Sequence, residues 1–591
     1  MMTNRKLGTA MTAACAALAV GACTMWGAFA GTIPATGSYD PGRETEETET
    51  ETEGADLSGT EAAGLPEVEE RFSWLDAFVS SKNAADVCEE DGMVMAASTA
   101  DAGWAEWPAP AWNTEEYATV GETGFRTAAQ YPFSTFGMDV DTASYALLRR
   151  NLLDGTMEWM PEDAVRIEEM INYFNYEYAQ PEDGDTFSIT CEIAPCPWNP
   201  DTKLMLVGLQ ARDIPKEEIP EQNLVLLVDT SGSMYDENKL PLAVDTMKLL
   251  LEEMDGKDTI SLVTYAGSSE VLLSGVHCTP EGKEEILEAL DGLTAEGGTW
   301  GETGLRTAYA LAQDSFTEGA NNRVLLLTDG DFNLGQTDDS ELVKMVQEQA
   351  KGQIFLSILG FGAGNYNDAL AEELADKGNG NYSYIDSAME ARRVMGGALK
   401  GTLNTVAKDA KIQIDFNPAM VKGYRQIGYE NRQMDAEDFE DDTKDGGEVG
   451  AGQQVSALYE LVMADSAYEI QSARSRYAQS EAAEEKAQSR DGQTEAAAEN
   501  EEYLTISVRY KEPDGEKSSL QEAAVDASAE MKEMSENMSW AGGVAQAGML
   551  LRGSEHAGNS DFETVRERLR KLTGGDEFRE EFIYLLTRMA A

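Results

Sequence analysis

Histidine is almost missing: His277 and His556 are the only two in 591 residues. A His-rich zinc centre cannot be built from them, and a Ser-His-Asp relay would have to use one of the pair. No HExxH, CxxC or GxxxxGK[ST] pattern occurs. Basic residues are scarce too, with 45 Lys and Arg against 108 Asp and Glu, a formal charge of −63. Nucleic-acid phosphates and anionic lipid heads both need clustered cations, so neither is an expected partner. Beyond the first 30 residues no run is long and apolar enough to cross a bilayer. Cysteine is sparse as well. If Cys15 leaves with a signal segment and Cys23 is lipidated, Cys88, Cys191, Cys196 and Cys278 remain, and four thiols allow three pairings. Cys191 and Cys196 lie five apart and in one strand would face opposite sides, so free buried thiols are the expectation.

What is present is ample apolar material, 42% of the chain, enough for several cores. Length alone suggests about four units of roughly 150 residues. Residues 1–30 read as a processing signal: Arg5 and Lys6 precede an uncharged run over 7–22. Val20-Gly21-Ala22-Cys23 has the form of a lipobox, making Cys23 the lipidation residue, while Ala28-Phe29-Ala30 offers an ordinary signal-peptidase site. An uncleaved anchor is the third option, although the run is short for a span. Residues 31–130 hold an acidic spacer, the Glu-Thr run over 44–53, which self-repels and buries nothing. A short helix around Phe72 and Leu75 and a Trp/Pro/Ala connector follow it.

Residues 131–220 alternate helical spacing (144–153 and 164–173) with strand-like runs (187–193 and 204–209), an α+β flank. Residues 221–398 change rhythm. Leu224-Val225-Leu226-Leu227-Val228 is an unbroken apolar run, as are 324–328 and 354–359, with helical segments read at 242–254, 283–290, 304–312 and 370–377. Such runs mark parallel strands buried on both faces, so the expected fold class is α/β, a doubly wound, mostly parallel sheet. Residues 399–591 are expected to be β-rich and then helical, with a surface insertion at 466–502. The closing helices are placed at 521–551, broken at Gly542-Gly543, and at 562–589, broken at Gly574-Gly575.

Ligands of doubly wound sheets sit at the carboxyl ends of the strands. There the first apolar strand ends in Asp229-Thr230-Ser231-Gly232-Ser233 and the later one in Thr328-Asp329-Gly330, with Gly297-Gly298-Thr299 between them. Asp229, Ser231, Ser233, Thr299 and Asp329 are all hard oxygen donors of low total charge, a set suited to Mg²⁺ or Mn²⁺. Asp139 and Asp141 offer either a second cation site or Asx-turn and capping duty. The Tyr173-Phe174-Asn175-Tyr176 cluster reads as core, and His277 as an ordinary histidine.

The Asp-x-Ser-x-Ser motif with its distant Thr and Asp resembles the metal-ion-dependent adhesion site of von Willebrand factor type A (VWA) domains. The resemblance covers residues 221–393. The segment 136–145, Leu359-Gly360-Phe361-Gly362, Asn379-Gly380-Asn381-Tyr382 and the acidic stretch 441–445 resemble YfbK-like bacterial VWA proteins, extending the likeness over most of 131–591. The resemblance implies that Ser231 and Ser233 ligate a divalent ion directly. It has Asp229 and Asp329 acting directly or through water, and Thr299 joining or leaving with conformational state. A protein partner would supply an Asp or Glu carboxylate as the last ligand. The expected function is therefore an exported, membrane-anchored or surface protein, not an enzyme, that binds a protein through the ion. The alternatives are an envelope assembly component in which the ion only stabilises the fold, and a metal-dependent hydrolase with Asp331 as its candidate base.

Overall fold

The computed structural model describes residues 121–590, leaving out 139–140, 154, 156–161, 183, 331–338, 363–367, 398–400, 402, 445, 471–500, 514 and 516. The expected signal segment, Cys23, the acidic spacer, the helix near Phe72, Cys88, Asp139, Asp331 and most of the 466–502 insertion lie outside the described residues.

The chain opens with β1 (Arg126–Thr127), β2 (Phe133–Gly137), α1 (Ala143–Leu153), α2 (Ile167–Asn172), β3 (Phe187–Pro195) and β4 (Lys203–Ala211). The helix expected over 164–173 starts late, at Ile167. Arg166 is held extended before it, its N–H donating to the Ser144 hydroxyl. The middle section runs β5 (Gln222–Asp229), α3 (Leu240–Glu253), β6 (Thr259–Tyr265), β7 (Ser269–His277), α4 (Pro280–Asp291), α5 (Gly301–Asp314) and β8 (Asn321–Thr328). It continues through α6 (Asp339–Lys351), β9 (Ile354–Phe361), α7 (Asp368–Lys377), β10 (Tyr382–Ile385) and α8 (Ala388–Arg392).

These six strands form one sheet in the order β10-β9-β8-β5-β6-β7, parallel except for β7. This is the doubly wound sheet the apolar runs predict. Alternate residues of β5 enter different cores: Leu224, Leu226 and Val228 pack with the α3 and α4 side, Val225 and Leu227 with the α5 and α6 side. All five are at most 1% exposed, and burying each contributes about 1.5–3 kcal/mol.

The last section comprises β11 (Thr405–Phe416), β12 (Val421–Ile427), β13 (Gln433–Met434), β14 (Val449–Gly450), β15 (Gln454–Met463), β16 (Leu504–Lys511) and β17 (Ser518–Val525). Helices α9 (Glu536–Leu551), α10 (Phe562–Leu569) and α11 (Glu577–Ala590) close it. Two expectations are corrected here. Residues 518–525 form an antiparallel strand on β16, not the start of a helix. Helix α9 then runs unbroken through Gly542-Gly543, because these glycines press it against its neighbours. A Cβ on Gly543 would meet Leu569 at 2.5 Å, and one on Gly542 would meet Leu204 at 3.0 Å.

The boundaries expected at 131–220 and 399–591 do not separate two independent sheets. One antiparallel sheet has the order β1-β12-β15-β4-β3 and the other β13-β2-β11-β16-β17, each mixing strands from both ends of the chain. Met205 and Val207 of β4 point into the space shared with the second sheet. Leu204 and Leu206 point out under α2, α9 and α11. Helix α1 bridges the bodies in the same alternating way, giving Ala143, Ala146 and Leu147 to the parallel-sheet core and Tyr145 and Leu148 to the helical layer.

Candidate functional site

The chain leaves β5 toward β6 on one side and returns as β8 on the other, so the switch point lies between the ends of β5 and β8. Val228 pairs with Leu327, which sets Asp229 beside Thr328. Asp229 Oδ1 accepts the Ser231 N–H at 2.8 Å, curling the chain tightly after the strand. Its Oδ2 accepts the Tyr265 hydroxyl at 3.0 Å and the Thr328 hydroxyl at 3.4 Å. The curl brings the Ser231 and Ser233 hydroxyls within 2.9 Å of each other. Burial pushes the Asp229 carboxyl up to about 6; the Ser231 and Tyr265 hydrogen bonds pull against this, and the Asp329 charge adds to it.

The Thr299 loop is fastened to the same curl. The Gly232 N–H donates to Gly297 O at 3.1 Å, and the Glu296 N–H to Thr230 O at 2.8 Å. Half-buried Thr299 follows two residues after Gly297, and among the described residues its hydroxyl has no hydrogen-bond partner. Asp329, one residue beyond β8, is 1% exposed and accepts Lys239 Nζ at 2.9 Å. The donor chemistry fits a hard divalent cation. Two buried carboxylates, one of them paired with an ammonium, lie beside serine and threonine hydroxyls on two adjoining loops.

Three residues of this site were not singled out from the sequence: Tyr265, Thr328 and Lys239. Tyr265 and Thr328 end strands at the same edge and were open to that inference. Lys239 carries no spacing signal. Two exposed aromatics rim the site, Tyr235 at 80% and Trp300 at 59%, the most exposed large apolar side chains among the described residues. They directly follow the Ser233-Met234 and Thr299 positions.

Other candidates take structural roles. Asp141 accepts the Tyr382 N–H at 3.2 Å and lies 3.4 Å from Arg432, long-range contacts to β10 and to the arginine rather than the local turn or cap expected of it. Tyr173, Phe174 and Tyr176 are buried in the helical core. His277 ends the edge strand β7, exposed. Cys191, Cys196 and Cys278 are free thiols. A cavity of about 660 Å³ lies at the opposite edge of the parallel sheet, lined by Asn321, Gln353, Phe355, Asn379, Lys408 and Lys511 among others. It includes none of the five oxygen donors.

A family model described as von Willebrand factor type A domain matches residues 224–331, and one described as von Willebrand factor matches 111–206. A third, described as uncharacterized protein YfbK, C-terminal, matches 401–591. The chain is 40% identical over 491 residues to YfbK of Escherichia coli (strain K12), covering 80% of each. The chain belongs to the YfbK-like family of VWA proteins. The chain is also similar to the inter-alpha-trypsin inhibitor heavy chain H4 of Bos taurus, 28% identical over 181 residues, or 29% of this chain and 19% of that protein. Among solved structures, the von Willebrand factor type A protein from Catenulispora acidiphila aligns with TM-score 0.37 and 14% identity, over 70% of this chain and 91% of that one. In this YfbK-like protein the segments before and after the VWA section pair with each other, forming two antiparallel sheets that share one core.

Proposed function

We propose that this YfbK-like protein binds a protein partner through a divalent ion, Mg²⁺ or Mn²⁺, held by Ser231, Ser233, Thr299, Asp229 and Asp329. A partner Asp or Glu carboxylate would complete the coordination. The observation that carries this reading is the gathering of Asp229, the paired Ser231 and Ser233 hydroxyls and Asp329 at the switch point of the sheet. When bound, the ion supplies local positive potential on a body of charge −63, which otherwise repels an acidic ligand. The chain's own residues do the rest. The Asp229 curl orients the serine hydroxyls, and the Gly232–Gly297 hydrogen bond fixes the Thr299 loop beside them. Tyr235 and Trp300 offer apolar contact around the polar centre, the composition found in binding hot spots.

This is a binding protein rather than an enzyme on our reading. Asp329 is engaged by Lys239 and Asp229 by three donors, which leaves neither as an idle base. Export, and anchorage through Cys23, belong to the same proposal and rest on the first 30 residues of the sequence. The test is capture from envelope extract on immobilised full-length chain in Mg²⁺, with EDTA elution and Asp229→Ala as control. A partner that elutes in EDTA and is missing from the Asp229→Ala column supports the proposal. Equal capture in EDTA contradicts it. A melting temperature raised by Mg²⁺ together with empty columns would favour the assembly-component reading.

A further inference from the structure

Lys239 is a buried ammonium whose task the adhesion motif does not explain. It immediately precedes α3, is 6% exposed, and donates to Asp329 Oδ2 at 2.9 Å. Lysine is rarely buried without a specific charge to meet. Its route is built into the fold. The stem passes Gly362, at φ +75°, where a Cβ would come within 2.3 Å of Lys239 Cε. Glycine is thus required there twice, by the left-handed backbone and by the passing side chain. The Gly362 carbonyl is itself pinned, accepting from Arg150 Nη1 at 3.2 Å and from the Tyr384 hydroxyl. Arg150 belongs to α1, so the flanking helix holds the wall against which Lys239 lies.

The charges decide what this arrangement does. With Asp229 and Asp329 ionised, Lys239 leaves the centre at minus one without an ion and plus one with a divalent ion. Without Lys239 those values would be minus two and zero. We infer that Lys239 is a resident cation of this site that weakens divalent-ion binding and so keeps the loaded centre net positive, ready for an anionic partner group. This rests on the proposed ion site. A metal chosen for tight structural binding would not be met by a fixed like charge, whereas a metal used to attract a carboxylate would.

The test uses the full-length chain with Mn²⁺ alone, titrated by the electron paramagnetic resonance signal of the free ion. Asp229→Ala identifies the specific site. Lys239→Gln removes the like charge and should tighten the Asp229-dependent site by about tenfold or more, from simple Coulomb reasoning. It should also enlarge the rise in melting temperature that Mn²⁺ produces, because tighter binding to the folded chain stabilises it further. Lys239→Arg should restore wild-type affinity, a rescue that a purely packing role would not give. Gly362→Ala, which displaces the lysine stem while keeping the residue, should shift affinity in the same direction as Lys239→Gln. It decides the matter alone if Lys239→Gln does not fold. Affinity unchanged or weakened in both variants overturns the inference while leaving the ion site standing. An Asp229-dependent site seen only in Lys239→Gln would make lysine the permanent occupant of the wild-type centre, overturning both the loaded-centre role inferred for Lys239 and the ion-bridge function. No such site in any variant overturns both.

Discussion

Replacing Arg149 by methionine should loosen the joint between the VWA sheet and the helical layer. Arg149 is 2% exposed and meets three carboxylates: Asp386 at 2.7 Å through Nε, Glu390 at 2.8 Å and Glu581 at 2.9 Å. Asp386 and Glu390 belong to the end of the VWA section, Glu581 to α11, and Arg149 itself to α1. Methionine keeps much of the apolar stem but removes the charge, and uncovering a buried pair in this way costs about 3–5 kcal/mol. Glu390 keeps Arg393 at 2.7 Å and the Tyr173 hydroxyl at 2.8 Å, while among the described residues Glu581 keeps the Tyr145 hydroxyl at 3.4 Å. Burial alone would raise Glu390, but Arg393 and Arg149 overcome it and hold the carboxyl below its usual value. Its stabilising contribution is therefore complete above the ordinary carboxylate range and is lost as pH falls through its depressed folded value. In the variant that depression shrinks, and Glu581, already raised by burial, rises further. The deficit in urea unfolding, followed by circular dichroism, should be largest near neutral pH and smaller at about pH 5, where the orphaned carboxylates take up protons. A deficit below about 1 kcal/mol, or one of equal size at both pH values, would refute this account of the joint.

Trp300→Ala and Tyr235→Ala should leave Mn²⁺ affinity within about twofold of wild type while cutting partner capture by about tenfold or more, the size expected of exposed aromatic anchors. Equal loss of metal and partner would place them in the coordination rather than the rim. Burial pushes the Cys196 thiol up to about 12 and the Cys278 thiol up to about 11. Iodoacetamide at about pH 8 should therefore spare both in the native chain and label them in urea, as mapped by mass spectrometry; rapid native labelling of Cys196 would contradict its burial.

Most of the parallel sheet is legible because a strand buried on both faces admits only apolar residues, as Leu224 to Val228 show. The same signal misleads about neighbours: β4 is equally apolar yet antiparallel, since helices cover its outer face. At β17 the Gln, Glu and Ala residues favour a helix, but pairing with β16 along all eight positions overrides that preference. The Gly542-Gly543 pair reads locally as a break, whereas its reason is close approach to Leu204 and Leu569, residues far away in the sequence. Helix α6 was not expected, and the shared sheets of the two flanks are invisible in a linear reading because strand partners lie hundreds of residues apart. Of the site, the oxygen donors were legible from the motif at the strand ends. Lys239 was not, because what identifies it is a buried path past Gly362 rather than a sequence interval.

The central claim is that Asp229, Ser231 and Ser233 form a divalent-ion site on this acidic chain. Its most direct test is Mn²⁺ titration of the full-length protein by electron paramagnetic resonance at about 0.15 M salt, which screens weak association with the exposed carboxylates. The account predicts one tight Mn²⁺ equivalent in the wild type that disappears in Asp229→Ala and in the Ser231→Ala, Ser233→Ala double variant, each retaining the wild-type circular dichroism spectrum. Identical titrations for wild type and folded variants would contradict it.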